Sequence, residues 1–249
     1  MPTFRFLLCF IAVFAGVNAA FAAEDAERYA ACLRLAEERP VDGWEEALAW
    51  QSLGGGEPAK HCGAVALIGL EEHGEAAMRL EGLARESRAS AGVRAGMLAQ
   101  AGQAWLLEGR PERAVAALSA ALALRPDDAD LLIDRAFAFA QAANYGEALG
   151  DLDRALSLAP GRADALTLRA SAHRYLDRPD EARRDVDQAL FLKPRFPDAL
   201  VERGILKRLA GDVAGARRDW LATLAAAPDS AAAEAARRNL ELMDVDATR

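Results

Sequence analysis

Residues 163–196 read ADALTLRASAHRYLDRPDEARRDVDQALFLKPRF, and the same frame occurs four times in the chain. Pro194, near the end of this stretch, belongs to a series of four prolines at regular intervals of 34 residues: Pro126, Pro160, Pro194 and Pro228. A fixed period of this length is typical of a stacked-repeat architecture. Counting each unit from 31 residues before its proline gives units 95–128, 129–162, 163–196 and 197–230.

Each unit has the pattern of two helices that pack closely. Place 8 is always small, place 20 is always alanine, and places 4 and 24 hold large apolar residues, as Leu166 and Val186 do in the third unit. Small residues on facing helices let the backbones approach, and the larger ones fill the remaining space. The proline then stops the second helix and turns the chain into the next unit. We therefore predict antiparallel helices and no strands over these units.

The repeat pattern resembles that of the tetratricopeptide repeat family. The family frame W-x2-L-G-x2-Y…A-x3-F…P is matched in the first unit by Leu98, Ala101, Gly102, Trp105, Ala114, Leu118 and Pro126. The resemblance implies an all-α fold in which antiparallel helix-pair repeats stack into a right-handed α-solenoid superhelix. It divides the chain into degenerate helical pairs at 23–90, four regular repeats at 91–230, and a capping helix with a tail at 231–249.

The amino terminus has the features of a secretory signal. Arg5 precedes an apolar run over residues 6–17, and Ala20-Phe21-Ala22 gives an A-x-A cleavage pattern. A transmembrane anchor is the alternative, but the run is shorter than the roughly 20 residues that a span requires. We expect cleavage of residues 1–22, a periplasmic or secreted location, and no membrane span in the mature chain.

The charge balance argues against nucleic acid as a partner. The whole chain carries 30 lysines and arginines against 38 acidic side chains, and the predicted signal removes one arginine and no acid. The mature chain is thus more acidic than the intact one. Nucleic-acid binding depends on clustered positive charge, which this composition does not supply.

Arginine and aspartate occur together at places 7 and 23 of the last three units. The first unit has alanine at both places, Ala101 and Ala117. Because the two charges appear and disappear together, we interpret them as salt bridges between the two helices of a unit, with bidentate geometry available to arginine. Independent solvated charges are the alternative. The pairs are Arg135 with Asp151, Arg169 with Asp185, and Arg203 with Asp219.

Two cysteines, Cys32 and Cys62, remain after the expected signal cleavage. An oxidising compartment favours their pairing, and both fall in the first helices of adjacent helical pairs. We predict a disulfide, with two buried free thiols as the alternative.

The three histidines, His61, His73 and His173, lack the i, i+4 spacing of a helical metal pair. No nucleophile-elbow, phosphate-loop or H-E-x-x-H motif is present, so we predict no enzyme, no cofactor and no metal.

The family resemblance implies that first helices line a ligand groove with places 2, 5, 9, 12 and 13. From these places we predict that the following residues contact a partner: Gln103, Leu106, Ile133, Phe137, Ser171, Arg174, Ile205 and Arg208. Some family members hold a peptide's terminal carboxylate with lysine and asparagine at places 2, 5, 6 and 9, and this chain has neither residue there. Place 2 is aspartate in three units, which we interpret as complementing the helix dipole, and these aspartates would in any case repel a terminal carboxylate.

Two classes of function remain open. The first is a non-enzymatic scaffold that binds a protein or peptide segment in the groove. The second is a structural or assembly accessory of a cell-envelope complex that acts through its convex or terminal surface. Exposed apolar side chains at Ile133, Phe137 and Ile205 would favour the groove.

Overall fold

The computed structural model describes residues 25–246. The expected signal, residues 1–22, lies outside these residues. Over the described range the chain forms only helices and connecting turns, as predicted, and none of these helices has the length and apolar character needed to cross a membrane. The helices are α1 (25–38), α2 (Pro40–Ser52), α3 (Gly56–Gly69), α4 (His73–Glu86), α5 (Ala91–Leu107), α6 (Pro111–Leu124), α7 (Ala129–Gln141), α8 (Tyr145–Leu158), α9 (Ala163–Tyr175), α10 (Pro179–Leu192), α11 (Pro197–Leu209), α12 (Val213–Ala226) and α13 (Ala231–Asp246).

The chain divides into two compact units. The first ends at Arg110 and contains α1–α5, and the second begins at Pro111 and contains α6–α13. The division falls between the two helices of the first regular repeat, whereas the sequence placed the change from degenerate to regular repeats at residues 90 and 91.

In the first unit, Pro40 is the first residue of α2. Proline is favoured at this position because its missing N–H would have no helical partner and its φ already suits a helix. Gly43 lies against α1, where an added Cβ would stand 2.5 Å from the Cα of Ala36. This glycine therefore permits a close approach of two helices and does not mark a turn.

The turns inside the four regular repeats share one backbone feature. Positive φ occurs at the same place of each repeat, at Gly109, Ala143, Asp177 and Gly211. A residue in this left-handed conformation commonly ends a helix and supplies hydrogen bonds to its last carbonyl groups. Only two of the four are glycine, so the regularity of these turns is not visible from glycine spacing alone.

In the second unit each helix packs against the next. The first and second helices of a repeat pair as α7 with α8, α9 with α10, and α11 with α12, and α13 packs against both α11 and α12. The core contains the alanines and leucines of places 4, 8, 20 and 24, such as Leu152, Leu166, Ala170 and Ala182. α13 forms a separate apolar cluster with Trp220 and its neighbours. The predicted small-residue and large-residue places thus form the interior of these repeats.

The fourth repeat shows why its small residue is glycine. Trp220 is fully buried at place 24, where the preceding repeats have Leu152 and Val186. A Cβ added to Gly204 would lie 2.3 Å from Nε1 of Trp220, and this nitrogen donates a hydrogen bond to the carbonyl of Val201. The larger partner therefore requires the smaller residue opposite it.

We expect Gly204→Ala to destabilise the chain although alanine is the better helix former. The steric clash with the tryptophan costs about 1–3 kcal/mol, and higher helix propensity returns about 1 kcal/mol. The control is Gly150→Ala in α8, because an added Cβ there meets nothing within 4 Å. Denaturant unfolding should show a loss for the first variant and a gain for the second. Equal gains in both variants would contradict the packing argument.

Candidate binding groove

The second unit contains a groove of about 450 Å³ on the side of its first helices. This volume lies within the usual range for ligand pockets. Residues from α7, α9 and α11 contribute at places 2, 5, 6 and 9, and the first turns of α13 close one side. The groove is lined by Ile133, Asp134, Phe137, Asp164, Thr167, Leu168, Ser171, Phe196, Asp198, Val201, Glu202, Ala231, Ala232 and Ala235.

Three residues that the sequence assigned to partner contact line this groove. Ile133 and Phe137 lie one helical turn apart on α7, and Ser171 lies on α9. The Phe137 side chain is exposed, and Ile133 is half-buried. An apolar surface of this kind, bordered by polar residues, suits recognition of an apolar side chain.

Two other assigned residues, Ile205 and Arg208, are not among the lining residues. Ile205 is half-buried and packs against the apolar cluster that α13 forms with Trp220. The terminal helix therefore covers a position that the repeat pattern alone would expose. The Nε atom of Arg208 is buried without a hydrogen-bond partner in the described part of the chain.

Arg174 is engaged by a buried acid. Its Nε donates to Oε1 of Glu202 at 2.6 Å, and its Nη2 donates to Oε2 of the same side chain at 3.1 Å. Both side chains are largely buried, so the pair joins α9 to α11 beside the groove. The sequence assigned Arg174 to a partner, but the carboxylate that engages it belongs to the chain itself.

The last two residues that the sequence assigned to partner contact, Gln103 and Leu106, lie on α5 in the first unit, where Gln103 is exposed and Leu106 is half-buried.

The arginine and aspartate residues of places 7 and 23 meet in all three repeats. Each arginine donates from Nε and Nη2 to the two carboxylate oxygens of its aspartate, for example at 2.8 and 2.7 Å between Arg169 and Asp185. The same bidentate arrangement joins Arg135 to Asp151 and Arg203 to Asp219. The three aspartates are buried. These pairs connect the first and second helices of each repeat.

The structure adds a second set of partners that sequence reasoning missed. Nη1 of Arg169 donates to Asp153, and Nη1 of Arg135 donates to Ser119. Both acceptors occupy place 25 of the preceding repeat, so these arginines also join successive repeats. A periodic search at place 25 would have found Asp153 and Asp187, because both are acidic and 34 residues apart.

In the fourth repeat, Lys207 takes part in the charge pair. Its Nζ lies 2.7 Å from Oδ2 of Asp219. Burial acts to raise the pKa of Asp219, but the hydrogen bonds from Arg203 and Lys207 outweigh it and hold the pKa below its usual value. Lys207, which occupies the place of Trp105 in the first repeat, therefore has a structural role.

A disulfide bond joins Cys32 and Cys62 in the first unit, with 6.1 Å between the Cα atoms. This separation is ordinary for a disulfide. Both residues are buried in a small cluster with Ala36, Ala47 and Trp50. The bond connects α1 to α3 at the centre of that cluster.

The buried His61, beside Cys62, is held by two neighbours. The Tyr29 hydroxyl lies 2.8 Å from Nδ1, and Oε1 of Gln100 lies 2.6 Å from Nε2. A neutral ring satisfies both contacts, with Nδ1 accepting from the tyrosine and Nε2 donating to the glutamine. Burial lowers the pKa of His61, although the hydrogen bond with Gln100 opposes this shift. Over the described residues, no group of histidine, cysteine and acidic side chains could hold a metal ion.

We expect His61 to make the folded chain less stable as the pH falls from 7 to 5. The unfolded imidazole has a pKa of about 6.5, and the folded pKa is lower, so the unfolded chain binds more protons below this value. The contribution to stability is full above about pH 6.5 and falls by at most about 1.4 kcal/mol per pH unit below it. His173 contributes with the same sign, because burial also lowers its pKa.

The test is denaturant unfolding between pH 5 and 7 for the natural chain and for His61→Gln. The variant should lose part of the pH slope, whatever its absolute stability. An unchanged slope would show that His61 is protonated equally in both states.

Comparison with known proteins supports the assignment of the repeats. The family model for the tetratricopeptide repeat matches residues 103–173. These residues are therefore identified as tetratricopeptide repeats. No curated protein matches the sequence significantly.

Solved tetratricopeptide repeat structures share the fold at low sequence identity. MamA (41-end) from Desulfovibrio magneticus RS-1 has a TM-score of 0.56 at 19% identity, over 74% of this chain and 97% of that one. YrrB, described as a TPR protein with an unusual peptide-binding site, has a TM-score of 0.56 at 18% identity, over 73% of this chain and 95% of that one. The Cut9–Hcn1 hetero-tetramer of APC/C gives a TM-score of 0.60 at 16% identity, over 87% of this chain and 46% of that one.

Proposed function

We propose that this tetratricopeptide repeat protein is a non-enzymatic scaffold that holds a segment of a partner protein in the groove of its second unit. The observation that carries the proposal is the groove itself, with the exposed Phe137 and the half-buried Ile133 at its surface. An extended or helical segment can place an apolar side chain there while its backbone contacts Ser171. YrrB has a peptide-binding site on the same fold, but the likeness extends to the fold alone.

We further propose that the protein works in the periplasm or outside the cell. The signal-like amino terminus and the disulfide between Cys32 and Cys62 support this location, because disulfides persist in oxidising compartments. Sequencing the amino terminus of the exported protein should give Ala23 as the first residue. Retention of residues 1–22 would contradict the cleaved signal.

The accessory role remains the second candidate, and one observation favours it. The Phe191 side chain, on the second helix α10, is 86% exposed and does not line the groove. A large exposed aromatic side chain on this face suits contact with another protein. The two candidates thus differ in which face of the second unit meets the partner.

Site-specific photocrosslinking in cells separates them. We would place p-benzoylphenylalanine at position 137 in one chain and at position 191 in another. The groove proposal predicts a discrete adduct from position 137 and little from position 191, and the accessory role predicts the reverse. Adducts from position 191 alone would overturn the groove proposal.

A further inference from the structure

The charged side chains of the groove indicate the chemistry of its occupant. Four of the lining residues are acidic, namely Asp134, Asp164, Asp198 and Glu202, and none is basic. They are interspersed with the apolar side chains of Ile133, Phe137, Leu168, Phe196 and Val201. We propose that the groove selects a protein segment in which an apolar side chain is flanked by lysine or arginine. This inference rests on the proposed function.

The arginines beside the groove are already engaged. Arg162 donates to both oxygens of Asp164 and also to Asp130, so one cation lies between two acids. Arg174 is bound by Glu202 through two hydrogen bonds. An acidic segment would therefore have to displace an existing carboxylate before it could gain a cation.

Asp198 is the acid best placed to bind an incoming cation. It lies in the first turn of α11 and is exposed, and within the part of the chain that the structure describes no hydrogen bond or ion pair involves its side chain. A lysine or arginine from a partner would meet this carboxylate while the neighbouring apolar residue enters the groove. Charge complementarity of this kind gives selectivity between partners and raises the association rate.

The opposite charge pattern would be disfavoured in the same place. A glutamate or a terminal carboxylate beside Phe137 would approach the exposed carboxylate of Asp198. It would gain no free cation there, because the guanidinium groups of Arg162 and Arg174 are already bound to carboxylates. Arg208 has an unpartnered Nε, but it does not line the groove. Like charges that face each other across an interface disfavour such a partner.

The test uses three peptides with blocked ends and a common Leu-Phe-Leu centre, flanked on both sides by lysine, serine or glutamate. Their affinities for the full mature chain are measured by fluorescence anisotropy at low ionic strength. Because exposed charge pairs contribute modestly, we expect the lysine peptide to bind about tenfold more tightly than the glutamate peptide, with the serine peptide between them. The difference should shrink as salt is added.

Two variants with the same charge change identify the groove as the cause. Asp198→Asn should lower the affinity for the lysine peptide by about threefold and leave the affinity for the serine peptide unchanged. Asp180→Asn is the matched control, because Asp180 is exposed in the first turn of α10 and does not line the groove. It should change the affinity for neither peptide. Equal effects of the two variants would overturn the proposal.

A further pair of variants separates this proposal from the proposed function. Ala231 is exposed at the start of α13 and lines the groove, so Ala231→Trp should obstruct it, whereas Ala225→Trp places the same side chain on an exposed site of α12. Suppose that Ala231→Trp lowers the affinity for all three peptides, but the natural chain binds the glutamate peptide as tightly as the lysine peptide. Charge selection is then wrong, and the groove remains the binding site. If Ala231→Trp changes no affinity, the groove itself is wrong. Failure of all three peptides to bind would overturn the charge selection, and the crosslinks from position 137 would still decide the function.

Discussion

Replacing both Cys32 and Cys62 with alanine lowers the free energy of unfolding by about 3–4 kcal/mol, according to the chain-entropy model for a loop of this length. The two residues are 30 apart in sequence, and their bond limits the conformations of the unfolded first unit. Alanine is the appropriate replacement because both sites are buried and serine would bury a hydroxyl group. Denaturant unfolding under oxidising conditions measures the loss.

Reduction provides the control for this prediction. A reducing agent should destabilise the natural chain by a similar amount and should not affect the double variant. Quantitative labelling of both thiols in the unreduced exported protein would show instead that no bond forms in the cell. Equal stability of the natural chain and the variant would contradict the structural role of the bond.

Arg169→Ala is expected to destabilise the second unit by about 1–3 kcal/mol, because it leaves the buried Asp185 without its principal donor. The substitution also removes the hydrogen bond from Arg169 to Asp153, so the connection between the second and third repeats weakens at the same time. Replacing both Arg169 and Asp185 should cost less than the two single changes added together, since neither charge is then left alone. A double-mutant cycle by denaturant unfolding measures this difference.

The matched control is Arg184→Ala on α10. Arg184 is largely exposed, and its nearest acid, Glu181, lies 3.9 Å away. Exposed pairs of this kind contribute little, so the change should stay within about 0.5 kcal/mol. Strict additivity of the Arg169 and Asp185 changes would defeat the salt-bridge interpretation and make these residues independent charges.

The repeats were predictable because their packing is periodic. The proline of place 32 and the small residues of places 8 and 20 recur every 34 residues, and each has a direct steric meaning in a helix pair. The charge pairs were predictable for a related reason. At places 7 and 23 the first repeat has neither arginine nor aspartate and the later repeats have both, which indicates mutual dependence.

The environment of α13 was not predictable in the same way. The period ends at Pro228, and nothing in the repeat frame determines which side of α11 the next helix covers. α13 covers Ile205 and contributes three alanines to the groove. A contact that depends on a single terminal helix leaves no repeated signal in the sequence.

The partner of Arg174 was missed because the pair occurs only once in the chain. Glu202 lies 28 residues further on, at place 6 of the next repeat. At place 12 the preceding repeat has Ala140 where the third repeat has Arg174, so it has no arginine to pair. The fourth repeat has Arg208 at this place, but the residue 28 positions further on is Ala236 and not an acid. A single occurrence gives no correlation to detect. The unpartnered Nε of Arg208 agrees with the absence of an acid at residue 236.

The yield of the photocrosslinked adduct from position 137, compared between two matched chains, tests most directly whether the partner binds in the groove. Both chains carry p-benzoylphenylalanine in place of Phe137, and one carries Ala231→Trp while the other carries Ala225→Trp. If the partner's segment lies in the groove, the adduct should disappear from the first chain and persist in the second. An adduct of equal yield in both chains would show that the partner does not enter the groove.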